Sequence, residues 1–581
     1  MLGWYAWAQF LRQNYDWSVV AIWIGAVCGF LALVAEPPSW RLQISRAEGA
    51  VLGLVMVGGA ALRLYRVDAV PFGLNHDAAY SGLVALKAIH SSTYIPWSPD
   101  PTQGETFFDY WIVALIALIG PVPLAIKGAA AAVGVVTLLG MYLFTRQLLG
   151  AKAAAIATFL LAVSGWHLIF SRVGWRMITL PLVEVFAFYF LFRAIETRRR
   201  GSFAIAGALL ALQLDTYLAG RILPVMAALW ALIELWRGPD RLALLRGYAL
   251  AVVGFLLAGA SVLAFALTNT DAFNARYNSV NIVAELLAGN WGPFWQNVQA
   301  SVGIFTVRAN GNDFFVDQPL LDQPARWLFV LGLVIAVWWA ARRSRRYAFV
   351  LFGLVVTLFP GLVSIAPNGN RDSGAMPFVY ILAALPLVFG LELVESWRRR
   401  LPSLVRYMPE AAVALILIFG LVSAFTQYLG PNRTELWGFY PETTVVARYI
   451  RQIDARYDAY LTDNYVRDAL TYITYQPADP MVGLESSGYP MQPHYTWQDS
   501  NQQFLADRPR PNRGIAFFMF AGLPANTAVL QQLRARYHNA VAFTLMYHDD
   551  NIDRPASLVL LVPPGGKNAR ADVPATATPA Y

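Results

Sequence analysis

Polar groups are scarce enough in this chain that their placement is informative. The run Asn75-His76-Asp77 sets an imidazole beside a carboxylate, and a helical pattern continues through Tyr80, Leu83, Leu86 and Ile89. Asp77 therefore falls near a helix N-terminus, where burial and the helix dipole act on its charge in opposite senses. Two readings stay open: a general base, or a carboxylate that simply caps the helix. Glu105 and Asp109 follow in the same loop and either approach Asp77 or stay solvated. The other informative residue type is arginine. Arg172 and Arg176 are four apart at a helix turn, and Arg221 and Arg371 sit at further helix ends. A guanidinium there can snorkel, but it also binds phosphate through two parallel hydrogen bonds. Four of them at one level fit a lipid phosphate.

The elements that must carry these residues are apolar. The 581 residues are 57% hydrophobic and 14% charged, against about 25% charged in soluble domains. Mean hydropathy is +0.45. Twelve apolar blocks stand at about 17–34, 49–64, 126–144, 153–169, 178–194, 203–217, 222–235, 248–267, 327–340, 347–365, 377–394 and 411–428. Many are long enough to cross a ~30 Å hydrocarbon layer. Soluble multidomain, coiled-coil and disordered classes are excluded, and the expected class is a polytopic α-helical membrane protein. The lone Cys28 precludes a disulfide framework.

A thirteenth apolar stretch, 107–124, decides the topology. It carries Asp109 and is broken by Gly120, Pro121 and Pro123. The basic loops are Arg41/Arg46, Arg146/Lys152, Arg193 with 198–200, Arg237/Arg241/Arg246, 342–346 and 398–406. All six share one face only if 107–124 lies in the interface, and the positive-inside rule favours that arrangement. About 12 transmembrane helices plus interfacial helices are expected, with both chain ends outside. The outer face then holds the loops 66–127 and 269–326 and everything after 428.

Residues 429–581 hold 13 basic and 14 acidic residues, so the net charge of +8 is a feature of the membrane loops. Nucleic acid is not an expected partner. A helix is expected over 442–458, strands over 515–520, 541–546 and 557–562, and a second helix over 527–537, giving a small α/β domain. The organisation read from this is an N-terminal extra helix and basic loop (1–48), a membrane module (49–428), an extracytoplasmic α/β domain (429–564) and a disordered tail (565–581). None of the six histidines pairs at zinc-type spacing. No protein-built metal site or certain cofactor is expected, although His76 with Asp77 could help hold a divalent cation. Phosphate-loop and dinucleotide motifs are absent.

Short motifs in order along 63–377 resemble the GT-C superfamily of membrane glycosyltransferases, specifically glycosyltransferase family 39, which includes protein O-mannosyltransferases and aminoarabinose transferases. They are Leu64-Tyr65-Arg66-Val67-Asp68, Pro71-Phe72-Gly73-Leu74-Asn75-His76-Asp77-Ala78-Ala79, Gly104-Glu105, Ser164-Gly165-Trp166-His167 with Ser171-Arg172, the run 217–224, Pro319-Leu320-Leu321-Asp322, and Arg371-Asp372-Ser373-Gly374-Ala375-Met376-Pro377. The resemblance implies a polyprenyl-phosphate sugar donor used at the outer face of the plasma membrane, with a glycan, lipid or protein as acceptor. It also implies a catalytic base at Asp77. The family often has Asp-Glu here, whereas this chain has Ala78, so a second acid function is either missing or moved to Glu105.

The expected reaction is inverting transfer of a hexose or pentose to an acceptor hydroxyl. Asp77 and Glu105 are the catalytic candidates, and Arg172, Arg176, Arg221 and Arg371 the donor-phosphate ligands. His76, Asp109 and Tyr217 are candidates for acceptor or sugar contacts. Two other classes compete: a transporter or flippase of a lipid-linked or anionic solute, with Glu184 and Asp215 as its intramembrane acids, and an inactive membrane protein whose tail domain binds a partner.

Overall fold

The computed structural model describes residues 1–36, 44–98, 103–237, 240–309, 318–365, 367–397, 407–430, 440–462, 465–479, 494–508, 512–549, 552–564 and 569–579. Arg41 and the basic run 398–406 lie outside the described residues. Contacts divide the chain into two compact units. One comprises Met1–Tyr65, Ser91–Tyr110 and Gly128–Trp437, the other Arg66–His90, Trp111–Lys127 and Gly438–Tyr581.

The first unit is helical throughout. Nine helices in the described residues are long and apolar enough to cross a membrane, or ten if the bent pair Ala151–Val163 and Gly165–Val173 counts as one. Every expected apolar block is helical, but two fall short of the expected twelve crossings: Arg200–Leu212 has 13 residues and Ala325–Ala341 has 17. Arg200–Leu212 gives way to a 3-10 turn, Gln213–Asp215, where the Asp215 carboxylate accepts the Thr106 N–H at 2.7 Å. Phe107–Ile119, at 13 residues, is about 20 Å long, shorter than a ~30 Å hydrocarbon layer.

Packing in this unit depends on small residues. A Cβ on Gly332 would fall 1.8 Å from the Leu382 carbonyl oxygen, and one on Gly207 equally close to that of Ala251. Helix backbones therefore touch directly, the device by which apolar helices associate where lipid offers no hydrophobic gain. Between them, Phe144, Phe188, Phe192, Phe349 and Phe378 meet ring to ring. Leu54, Val57, Leu415 and Phe419 are exposed, as lipid-facing residues must be.

The block expected to run straight over 153–169 instead bends by 57° at Ser164. Ser164 caps the second half by accepting the His167 N–H at 3.2 Å. The buried Asp322 carboxylate accepts the Gly165 N–H at 2.9 Å and the Tyr428 hydroxyl at 2.5 Å. The break is thus satisfied on both sides, as an interrupted helix inside a membrane requires.

The second unit is built on a six-stranded sheet in the order β2-β1-β3-β5-β4-β6. Its strands are β1 Tyr457–Leu461, β2 Thr496–Trp497, β3 Gly514–Phe520, β4 Val541–Asp549, β5 Ile552–Val562 and β6 Thr578–Pro579. The pairs made by β1 are parallel and the rest antiparallel. Helix Pro524–Arg536 packs Val529, Leu530 and Leu533 onto Phe517, Met519 and Leu560.

Two expectations are corrected here. The helix expected over 442–458 ends at Ile453, and Tyr457 opens β1, because Tyr457, Ala459 and Leu461 are buried with the period of two of a strand. The tail expected to be disordered contains the Ala569–Asp572 3-10 turn and β6. Asp572 accepts the Tyr457 hydroxyl at 2.6 Å and pairs with Arg456, while β6 covers the open edge of β4.

The tail does not make this unit alone. Helix His76–His90 runs beside Arg467–Thr474. A Cβ on Gly82 would lie 2.6 Å from the Tyr472 ring, so only glycine admits that ring. The Tyr472 hydroxyl donates to the Val122 carbonyl at 3.1 Å, and His90 Nε2 lies 2.9 Å from the Tyr475 hydroxyl.

Candidate functional site

The first unit gathers its charged residues around the loop 103–109. Gly104 lies on the Trp97 indole so closely that a Cβ would approach it to 2.1 Å, and its carbonyl accepts the Ser98 N–H at 2.7 Å. With Thr106 held by Asp215, Glu105 between them has one place to go. Its carboxylate, 3% exposed, accepts Arg176 Nε at 3.1 Å. Arg176 Nη1 donates to Gln103 Oε1 at 3.1 Å. Arg176 reaches this loop because Gly174 ends the preceding helix in the left-handed conformation, φ +83°.

The Arg176 guanidinium stands 5.8 Å from the Tyr217 ring. Arg371, Arg176, Arg276 and Glu105 all lie within electrostatic range of the Tyr217 hydroxyl. Arg221 stacks 3.8 Å from the Phe273 ring and 5.5 Å from Trp97, donates to the Phe273 carbonyl at 3.0 Å, and senses the Glu105 charge. Three expected arginines thus converge with Glu105 and Tyr217. Arg276, from helix Thr270–Val280, joins them without any signal of spacing or motif. Arg176 and Arg221 act on Glu105, and Arg176, Arg276 and Arg371 on Tyr217, so guanidinium groups from four elements face this loop. Asp109, buried, acts on Asp215 and belongs to the support behind Glu105.

Arg172 has a different task. Its Nη1 donates to the Leu62 and Arg63 carbonyls at 2.7 and 2.9 Å, and Nη2 to Tyr65 at 2.7 Å. These are the terminal carbonyls of helix Arg46–Leu64, which have no partner within the helix. The expectation of a phosphate ligand gives way to a cation closing a helix C-terminus. Arg63 behind it donates to the Gly59 and Ala162 carbonyls and contacts His167 Nδ1 at 2.6 Å.

Asp77 and His76 belong to the second unit. Asn75 Oδ1 accepts the Asp77 N–H at 2.8 Å, so Asn75 caps this turn and the Asp77 carboxylate, half-buried, is not needed as the cap. His76 Nδ1 pairs with the buried Asp468, which anchors the loop to the tail. The described residues contain no group of three or more His, Cys, Asp or Glu placed to hold a metal ion. Of the acids proposed for a transporter, Asp215 is explained by Thr106. Glu184 is buried with neither oxygen hydrogen-bonded among the described residues.

The fold is shared with solved membrane proteins. It is similar to that of the oligosaccharyltransferase AglB from Archaeoglobus fulgidus, solved with an inhibitory peptide and a dolichol-phosphate, at 15% identity and a TM-score of 0.51 over 93% of this chain and 76% of that one. It is also similar to that of ArnT from Cupriavidus metallidurans bound to undecaprenyl phosphate, at 15% identity and a TM-score of 0.55 over 92% and 99%. Residues 105–265 match the model of the dolichyl-phosphate-mannose-protein mannosyltransferase family. No curated protein matches the chain.

Proposed function

We propose that this protein is a membrane glycosyltransferase that moves a sugar from a polyprenyl-phosphate donor to an acceptor hydroxyl at the outer face of the plasma membrane. The observation that carries the reading is the buried Arg176–Glu105 pair beside Tyr217, inside the segment 105–265 that matches a dolichyl-phosphate-dependent transferase family, with Arg276 and Arg371 brought near Tyr217 from outside that segment. Undecaprenyl phosphate in ArnT and dolichol-phosphate in AglB support a lipid phosphate as the donor's anionic group.

In this reading Asp77 accepts the proton of the attacking hydroxyl. The acceptor oxygen forms the new bond at the anomeric carbon with inversion, and the lipid phosphate leaves with the electron pair of the broken bond. Arg176, Arg371 and Arg221 stabilise the charge that builds on that phosphate, in a site already oriented before the reaction. Glu105 holds the Arg176 fork in place, and Tyr217 offers a ring face to the sugar. No step is routed through a cation, because His76 and Asp468 alone make no ligand set.

Transfer of radiolabelled sugar from a polyprenyl-phosphate pool to envelope glycolipid, glycan or protein tests the reading. Labelled product that requires Asp77 is expected. Movement of the donor across the bilayer with no product would instead favour a transporter, the reading for which Glu184 speaks.

A further inference from the structure

The opposite, arginine-rich ends of the membrane helices contain a feature that sugar transfer does not use. Between helices Leu218–Arg237 and Arg345–Leu362 lies a cavity of about 840 Å³. Arg237, Arg343 and Arg345 line its polar mouth and Trp230, Trp236 and Phe352 its walls. The buried Glu234 carboxylate accepts Arg345 Nη1 at 3.3 Å, and Arg345 Nη2 donates to the Arg237 carbonyl at 3.1 Å. One carboxylate against three guanidinium groups leaves two positive charges unbalanced.

Three further observations say what balances them. Arg343 takes a left-handed conformation, φ +66°, in the three-residue turn between helices Ala325–Ala341 and Arg345–Leu362. Glycine fits that turn without the steric penalty that a side chain brings, so an arginine there points to a need for its charge. Helix Arg345–Leu362 begins in the cavity at Ser344 with no side-chain cap on its first N–H groups. Beyond the cavity these two helices and the neighbouring helix Ala325–Ala341 expose apolar residues, Leu232, Val355 and Val337, and Trp236 in the lining is itself exposed. A small anion has no use for such walls.

We propose that this cavity binds the phosphodiester headgroup of an anionic phospholipid, its acyl chains lying along the apolar walls. Basic pockets between helix ends are suited to such headgroups. The test uses the full chain in detergent, offered phosphatidylglycerol, phosphatidylcholine or inorganic phosphate, with retained lipid counted by native mass spectrometry. The wild-type protein is expected to retain phosphatidylglycerol preferentially, and millimolar inorganic phosphate to leave it in place. Each arginine near the surface is worth about fivefold, so Arg237→Gln with Arg343→Gln should weaken retention about 30-fold. Arg237→Lys with Arg343→Lys should keep it within about threefold, separating lost charge from lost fold. Equal retention of both lipids, an unchanged Gln pair, or displacement by inorganic phosphate would each overturn the proposal.

Discussion

The charged residues of the outer cluster do not share one kind of work. Arg176 has its guanidinium directed into a group of side chains by Glu105 and Gln103. Arg172, four residues earlier, is committed to three backbone carbonyls. Arg176→Ala should therefore lower turnover about 100-fold, the scale of losing one group that stabilises developing charge. Arg172→Ala should instead lower the melting temperature, with a loss of about 3 kcal/mol for buried carbonyls left without a donor, and donor KM should barely change in the protein that remains folded. Asp77→Asn keeps the shape and should cut turnover about a hundredfold or more; sugar transfer within a few-fold of wild type would remove the base. In the second unit, His494 lies between Asp454 and Asp479 at 2.9 and 2.8 Å. Burial pulls its imidazole down, but the two carboxylates outweigh it and raise it above the ordinary 6.5. A raised value in the folded state means stabilisation that is complete below about 6.5 and lost as pH rises through the folded value. Protection of the β1 amides relative to their intrinsic exchange rate should fall on mildly alkaline titration, and His494→Gln should flatten that fall.

At the scale of elements, close backbone approach and a satisfied break decide where helices lie. Gly332→Ala drives a Cβ into the Leu382 carbonyl and should cost about 2 kcal/mol through forced separation of the two helices, read as a lower melting temperature in detergent. The sequence made the apolar blocks legible because hydropathy needs only composition. It hid the bend at Ser164, since what stabilises it is Asp322, more than 150 residues away. Arg276 was equally hidden. It stands in a polar outer helix with no motif, and only the fold carries it to Tyr217. The early end of the helix at Ile453 was missed because Tyr457 suits a helical period and a strand period alike. The lengths of Arg200–Leu212 and Ala325–Ala341 depend on where a chain turns, which composition reports poorly.

At the scale of the molecule, charge asymmetry sets orientation. Loops such as 342–346 carry the arginines, whereas the stretch from 429 onward is nearly neutral, and the positive-inside rule then predicts a tail on the outer side. In a Cys28→Ser background, Ser500→Cys should react with a membrane-impermeant thiol reagent in intact cells, and Ser344→Cys only after permeabilisation. The reverse pattern would invert the topology. The general class was legible in the sequence because it rests on this balance of apolar blocks and loop charge. The grouping of 66–90 and 111–127 with the tail was not, since neither segment bears any mark of its distant partner.

That grouping bears on how the protein is made. His90 and Tyr475, which face each other in the finished unit, are 385 residues apart in the chain. At about 5–20 residues per second, a ribosome delivers the second roughly half a minute after the first. With the outer placement proposed above, the segment bearing Asp77 would cross the bilayer before helix Arg467–Thr474, its partner in the unit, is made. A chain cut short before Arg467 lacks that partner, and the Asp77 segment is then expected to be protease-sensitive.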